Sequence, residues 1–191
     1  MTDVHQKILI ITAPSGAGKT SIAQQLMKAF PVLEFSVSAT TRKPRANETD
    51  GKDYYFIDLE DFKQKIQQKQ FAEWEMVYEG KYYGTLKSEM KRIWDSQKIP
   101  VLDVDVKGAI HVQQQYPQNT LSIFIEPPSI ETLETRLRAR GTESEESLHA
   151  RISKAAYEIS FKDQFDKVIV NEDLHIACEK AKLLVNEFLN A

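Results

Sequence analysis

The residues Ala13-Pro-Ser-Gly-Ala-Gly-Lys-Thr20 set a lysine and a threonine directly behind two glycines. They follow an apolar run, Ile8 to Thr12, and precede a segment carrying Ile22, Leu26 and Met27. Strand, glycine-bearing loop and helix is the setting in which such a motif binds phosphate. Gly16 and Gly18 allow backbone N–H groups to turn inward around phosphate oxygens, and the new helix points its positive end at them. Lys19 then reaches the transferring phosphates and Thr20 binds Mg²⁺. Ala13 stands where G-x-x-x-x-G-K-[ST] has its first glycine, which is acceptable if that residue keeps a negative φ. The loop alone supports a nucleotide-binding phosphotransferase or hydrolase. Its acceptor must be read elsewhere.

Phe35-Ser-Val-Ser-Ala-Thr-Thr-Arg-Lys-Pro-Arg45 places Arg42 and Arg45 three apart on a loop held by a proline. Guanidinium forks suit a phosphate dianion better than ammonium groups do; taken alone, such a tripeptide is ordinary solvated surface. Asp103 and Asp105 alternate on the run Val101 to Asp105 and are expected to point to one side at its carboxyl end, where open α/β sheets bind ligands. Arg136 and Arg140 run at i,i+4 spacing beside Leu133 and Leu137, and Arg151 flanks a stripe of Leu148, Ile152, Ala155 and Ile159. Salt bridging to Glu131, Glu134 or Glu145 is the ordinary use of such arginines. Cys178 lies among Ile176, Ala177 and Ala181, a core thiol rather than a nucleophile. The four histidines are scattered without metal-ligand spacing.

These groups need a frame. Apolar runs at Ile8 to Thr12, Phe35 to Ser38, Val101 to Asp105, Leu121 to Ile125 and Lys167 to Val170 alternate with helical stretches, which predicts an α/β fold: a parallel sheet with helices on both faces. The last helix carries Leu174, Ala177, Ala181, Leu184, Val185 and Phe188 at helical spacing. Between the second and third runs, Asp53-Tyr-Tyr-Phe-Ile-Asp, Phe71-Ala-Glu-Trp-Glu-Met-Val and Lys81-Tyr-Tyr-Gly-Thr predict an inserted mixed subdomain. After Pro127-Pro128, Ser129 caps a helix ending near Gly141, and Thr142 to Glu145 has the form of a capping box for a second helix. Two helices joined by a tight turn make a lid. At 191 residues, 41% apolar and a formal charge of -3, the chain buries a core in one compact unit and lacks the broad basic surface of a nucleic-acid coat. One cysteine forms no intrachain disulfide, and no apolar run approaches the ~20 residues of a membrane span. A cytoplasmic protein is expected, with no nucleic-acid polymer and no membrane as partner.

The phosphate loop, SVSATTRKPR, GKDYYF, EWE, YYGT, LDVDVKG, PPS, RLRARGTESEES and KVIVN occur in that order. In this series the chain resembles guanylate kinase from about Ile8 to the final helix. The resemblance implies a P-loop NTPase-type nucleoside-monophosphate kinase, one domain over 1–191. Its core would be 1–35, 90–128 and 163–191, its GMP-binding insert 36–89 and its lid 129–162. Substrates would be ATP and GMP, with dGMP a related acceptor, and Mg²⁺ would accompany ATP at Thr20 and Asp103. Ala13, Pro14, Ser15, Gly16, Ala17, Gly18, Lys19, Thr20 and Asn171 would bind ATP, Asn171 near the adenine. The acceptor phosphate would fall to Arg42, Arg45, Tyr54 and Tyr83, and the guanine to Ser38, Glu73, Thr85 and Asp105. Lys19, Arg42, Arg136, Arg140 and Arg151 would carry catalysis.

Glu73 fits that role chemically. Guanine offers N1–H and N2–H₂ side by side, whereas adenine offers a lone pair at N1, so a carboxylate pairs with one and repels the other. The hydroxyls of Ser38 and Thr85 are expected to face guanine O6. Two rivals stand beside this reading: another small-molecule P-loop kinase, which Glu73 argues against, and a non-catalytic guanylate-kinase-like interaction module, which the intact Lys19 and Thr20 argue against.

Overall fold

The computed structural model describes residues 6–139 and 145–191. Among these, β1 (Ile8–Thr12), β2 (Leu33–Phe35), β7 (Ile99–Asp103), β8 (Thr120–Glu126) and β9 (Lys167–Val170) form a parallel sheet in the order β2-β7-β1-β8-β9. The central strand β1 reads Ile-Leu-Ile-Ile because both its faces are covered. Leu9 and Ile11 pack with Ile22 and Leu26 of α1 (Lys19–Ala29) and with Ala177, Ala181 and Val185 of the last helix, α7 (Leu174–Asn190). Ile8 and Ile10 pack on the opposite side with Met90 of α3 (Lys87–Asp95) and with Val106 and Val112 of α4 (Val106–Gln115). The expected α/β architecture is therefore present.

The insertion is a second sheet. Strands β3 (Ala39–Thr40), β4 (Tyr55–Phe56), β5 (Phe71–Tyr78) and β6 (Lys81–Leu86) lie in the order β4-β3-β6-β5, with α2 (Leu59–Gln67) between β4 and β5 in the chain. Phe62 of α2 stacks on Phe71 at 4.3 Å between ring centroids, and with Ala39 they form a small core of its own. Beyond β8, α5 (Ile130–Ala139) and α6 (Glu145–Ile159) pack through Leu133, Leu137, Leu148 and Ala155, the two helices expected of the lid. Ser129 Oγ accepts from the Thr132 N–H at 3.1 Å, as expected of a cap. The expected helix end at Gly141 and the capping-box residues 142–144 lie outside the described residues.

Several boundaries differ from expectation. The second core strand is Leu33–Phe35, not Phe35 to Ser38, because pairing with Ile99 to Val101 ends at Phe35. The chain then leaves the sheet, and the Val37 N–H donates to Glu89 Oε1 at 3.2 Å. The third core strand ends at Asp103, so Asp105 is not in phase with it on the strand: it is the N-cap of α4, accepting from the Gly108 N–H at 2.8 Å. Leu174 stands at the exposed first turn of α7 rather than in its buried stripe, while Cys178 is buried as expected.

Candidate functional site

The phosphate loop leaves the carboxyl end of β1 and closes into α1. Gly16 and Gly18 both have positive φ, 93° and 99°, a region open to glycine at little cost. Ala13 is not among the residues of positive φ, so its methyl is tolerated. Lys19 Nζ pairs with the carboxylate of Asp103 at the end of the neighbouring strand. Ala13, Pro14, Ser15, Gly16, Gly18, Lys19, Thr20 and Asp103 line one open cleft of about 380 Å³. Hard oxygens from Thr20 and Asp103 in one cleft form a donor set suited to Mg²⁺.

Asn171, buried at the end of β9, donates from Nδ2 to the Ala17 carbonyl at 2.7 Å, while its Oδ1 is buried without a hydrogen-bond partner. A Cβ at Gly16 would sit 3.0 Å from Leu133 Cδ1, so α5 packs directly on the loop. Arg151 Nη1 donates to Ser15 Oγ at 2.7 Å, and Arg136 Nη2 to the Asn171 carbonyl at 2.9 Å. Both arginines thus reach the loop or its support. Arg138 takes Glu134 and Glu145, the ion pairs considered for its neighbours. Arg140 lies outside the described residues.

A second cavity, about 330 Å³, opens between the two sheets and is lined by Ser38, Tyr54, Glu73, Glu75, Tyr83 and Asp105 among others. Glu73 on β5 faces Thr85 on β6 as its cross-strand partner, and Thr85 Oγ1 donates to Glu73 Oε1 at 2.6 Å. The Thr85 hydroxyl therefore points at the carboxylate, not into open space for O6. Glu73 is 6% exposed. Burial pushes its carboxyl up to about 7, against the Thr85 hydrogen bond and with help from the charge of Asp105. Gly108 in the first turn of α4 makes room for it: a Cβ there would lie 2.7 Å from Glu73 Oε2.

Tyr54 and Tyr83 also line this cavity, their rings meeting edge-on at 5.9 Å, and Arg42 lies 4.9 Å over the Tyr54 ring. Burial raises the Tyr54 hydroxyl pKa further above its usual value, which keeps it a donor. Arg45 is exposed on the same loop.

Two acidic residues, one lining the cavity and one beside Arg42, escape sequence reasoning. Glu75 follows Glu73 on the same face of β5 and lines the cavity with Asp105; the neighbouring Asp105 carboxylate, and after it burial, raise the Glu75 carboxyl. Burial pushes Asp105 upward, but the neighbouring Glu75 carboxyl and the hydrogen bond from the Gly108 N–H outweigh it and hold Asp105 below the usual range. The signal for Glu75 was its two-residue spacing from Glu73, visible only once the strand is assigned. Glu48 is the other, turned onto Arg42.

The guanylate kinase family model matches residues 5–188. Guanylate kinase of Bacteroides thetaiotaomicron is 44% identical over 184 residues, 96% of this chain and 90% of that protein. Guanylate kinase of Porphyromonas gingivalis is 44% identical over 184 residues, 96% of this chain and 98% of that protein. The crystal structure of guanylate kinase from Anaplasma phagocytophilum is similar with a TM-score of 0.74 at 32% identity, covering 95% of this chain and 85% of that one.

Proposed function

The chain belongs to the guanylate kinase family, and on that premise we propose how its residues move a phosphoryl group from ATP to GMP. The observation that carries the choice of acceptor is Glu73: a carboxylate 6% exposed, hydrogen-bonded by Thr85, on the wall of a cavity also lined by Tyr54 and Tyr83, with Arg42 stacked over Tyr54. A guanine base against Glu73 supplies two N–H donors and favours the ionised form that burial disfavours. Thr85 orients the carboxylate, Ser38 is the hydroxyl remaining for O6, and Asp105 stands beside the base. Arg42, Arg45, Tyr54 and Tyr83 hold the acceptor phosphate.

ATP lies along the loop from Ala13 to Thr20. Lys19 supplies positive charge at the transferring group, and Arg136, Arg140 and Arg151 of the lid close over it. Asn171 supports the loop through Ala17, and its unpartnered Oδ1 is an acceptor for the adenine amine. Mg²⁺ bound with ATP would neutralise charge on the phosphate oxygens, and Thr20 and Asp103 are the oxygen donors to hold it. No general base is required, because the attacking GMP oxygen is already anionic. The chain's work is alignment and water exclusion. We take 36–89 as the acceptor insert and 129–162 as the lid. The cytoplasm is the compartment we assign; among the described residues no helix is long and apolar enough to cross a membrane.

The test is ADP release from ATP against a panel of monophosphates. GMP should be the preferred acceptor, with AMP rejected by at least one to two orders of magnitude in kcat/KM, since unpaired buried polar groups cost about 1–3 kcal/mol. Equal use of AMP would overturn the reading.

A further inference from the structure

Glu48 sits six residues beyond Arg42, in the loop between β3 and β4, and turns its carboxylate back onto the arginine. Arg42 Nη1 and Nη2 donate to Glu48 Oε2 and Oε1, each at 2.6 Å. The backbone N–H of Arg45 donates to the same Oε2 at 2.8 Å. One carboxylate thus touches both arginines of the acceptor cradle. Both side chains of the pair are only 12% exposed, against 71% and 63% for a surface pair such as Lys91 with Asp95. The hydrogen bond from Arg42 holds the Glu48 carboxyl down to about 2, so it is ionised throughout the neutral range.

A guanidinium has five N–H donors on two forked edges, Nη1/Nη2 and Nε/Nη2. Glu48 fills the first edge, and the Lys43 carbonyl takes the other Nη1 hydrogen at 3.0 Å. The second edge, Nε–H with one Nη2–H, is the one these bonds leave for a planar pair of oxygens. The Tyr54 and Phe56 rings pack against the same guanidinium, 4.9 and 5.6 Å from its central carbon.

We propose that Glu48 is a positioning residue for the acceptor phosphate: it clamps the end of Arg42 and the backbone of Arg45, so that Arg42 meets the phosphate with its Nε/Nη2 edge already oriented. This rests on the reading of Arg42 as a phosphate ligand. A long loop arginine otherwise loses its rotamer freedom when the acceptor binds; the clamp moves that loss to folding. The opposing effect is repulsion between the Glu48 carboxylate and the phosphate. Orientation outweighs it if the proposal holds, and the sign of the response to neutralising Glu48 reports which one does.

Calorimetric titration of GMP and of guanosine, which has the base but no phosphate, into the full-length protein and its Glu48→Gln variant provides the test. GMP should bind about tenfold more weakly to Glu48→Gln, while guanosine affinity and the KM for ATP change less than about twofold. Unchanged or tighter GMP binding would overturn the proposal, as would an equal loss for guanosine and GMP, which a merely structural role produces. If Glu48→Gln does not fold, Glu48→Asp carries the test, with the same selective loss of GMP expected. Arg42→Lys separates the proposal from the reading beneath it. A loss of GMP affinity there with none in Glu48→Gln sinks only the role of Glu48, whereas no loss in Arg42→Lys removes Arg42 as a phosphate ligand.

Discussion

Asn171 ties the end of β9 to the floor of the phosphate loop, donating from Nδ2 to the carbonyl of Ala17 at 2.7 Å across 154 residues of chain. The same amide lies against Gly18, where any Cβ would collide with it. The shape of the loop is thus held from outside its own segment. Asn171→Ala should leave the Ala17 carbonyl without this buried donor, at a cost of about 1–3 kcal/mol. The melting temperature should fall by several degrees, and the KM for ATP should rise while that for GMP stays near its original value. A rise confined to GMP would detach Asn171 from the donor nucleotide.

Lys19 pairs with Asp103 at the mouth of the cleft, where both side chains remain partly exposed, 22% and 26%. The pair contributes little to the core. Lys19→Ala should therefore melt within a few degrees of the parent protein yet lose phosphoryl transfer by about 10³-fold or more, as expected on removing charge from a transition state. Near-parental turnover in a folded variant would contradict the phosphate-loop assignment.

Sequence reading reached furthest where one residue pattern has one physical meaning. Ile8 to Thr12 and Lys167 to Val170 emerge as β1 and β9 with the expected bounds: β1 is a fully covered central strand, while β9 closes the sheet edge with Ile169 buried and its neighbours exposed. Asp105 shows the opposite case. Its spacing from Asp103 fits a continuing strand as well as a helix cap, and only the Gly108 N–H decides it. The preference of aspartate for N-caps was the available signal. Glu48, Glu75 and Glu89 were not legible among 28 acidic residues, since composition does not say which of them turn inward. The Thr85 hydroxyl was expected to face guanine O6; here it donates to the Glu73 carboxylate, as a hydroxyl rotor follows the strongest local acceptor.

The raised carboxyl of Glu73 predicts opposite responses of stability and recognition to pH. Its folded pKa, about 7, lies above the usual 4.5. Between these values the folded state holds a proton that the unfolded state releases, so stability falls as pH rises through that window and the loss is complete above 7. Glu73→Gln should then stabilise the free protein at pH 8 by on the order of 3 kcal/mol at most, seen as a raised melting temperature, with a smaller gain at pH 5. Recognition needs the ionised form, so kcat/KM for GMP should climb between pH 6 and 8. The raised carboxyl of Glu75 and the GMP phosphate also contribute in this range, and the limb that vanishes in Glu73→Gln belongs to Glu73. An unchanged profile and an unchanged melting temperature in that variant would place Glu73 outside both effects.

The central claim is that a buried Glu73 reads guanine. Replacing it with glutamine keeps size and the Thr85 contact but exchanges a charged acceptor for an amide with its own donors. The decisive measurement is kcat/KM for GMP and for AMP in the parent protein and in Glu73→Gln, at saturating ATP and pH 8. GMP use should drop by at least one to two orders of magnitude, while the weak use of AMP stays level or rises, so that the ratio collapses. A GMP-to-AMP ratio unaltered by the substitution would mean that guanine is recognised elsewhere and would contradict the assignment of this cavity to the acceptor base.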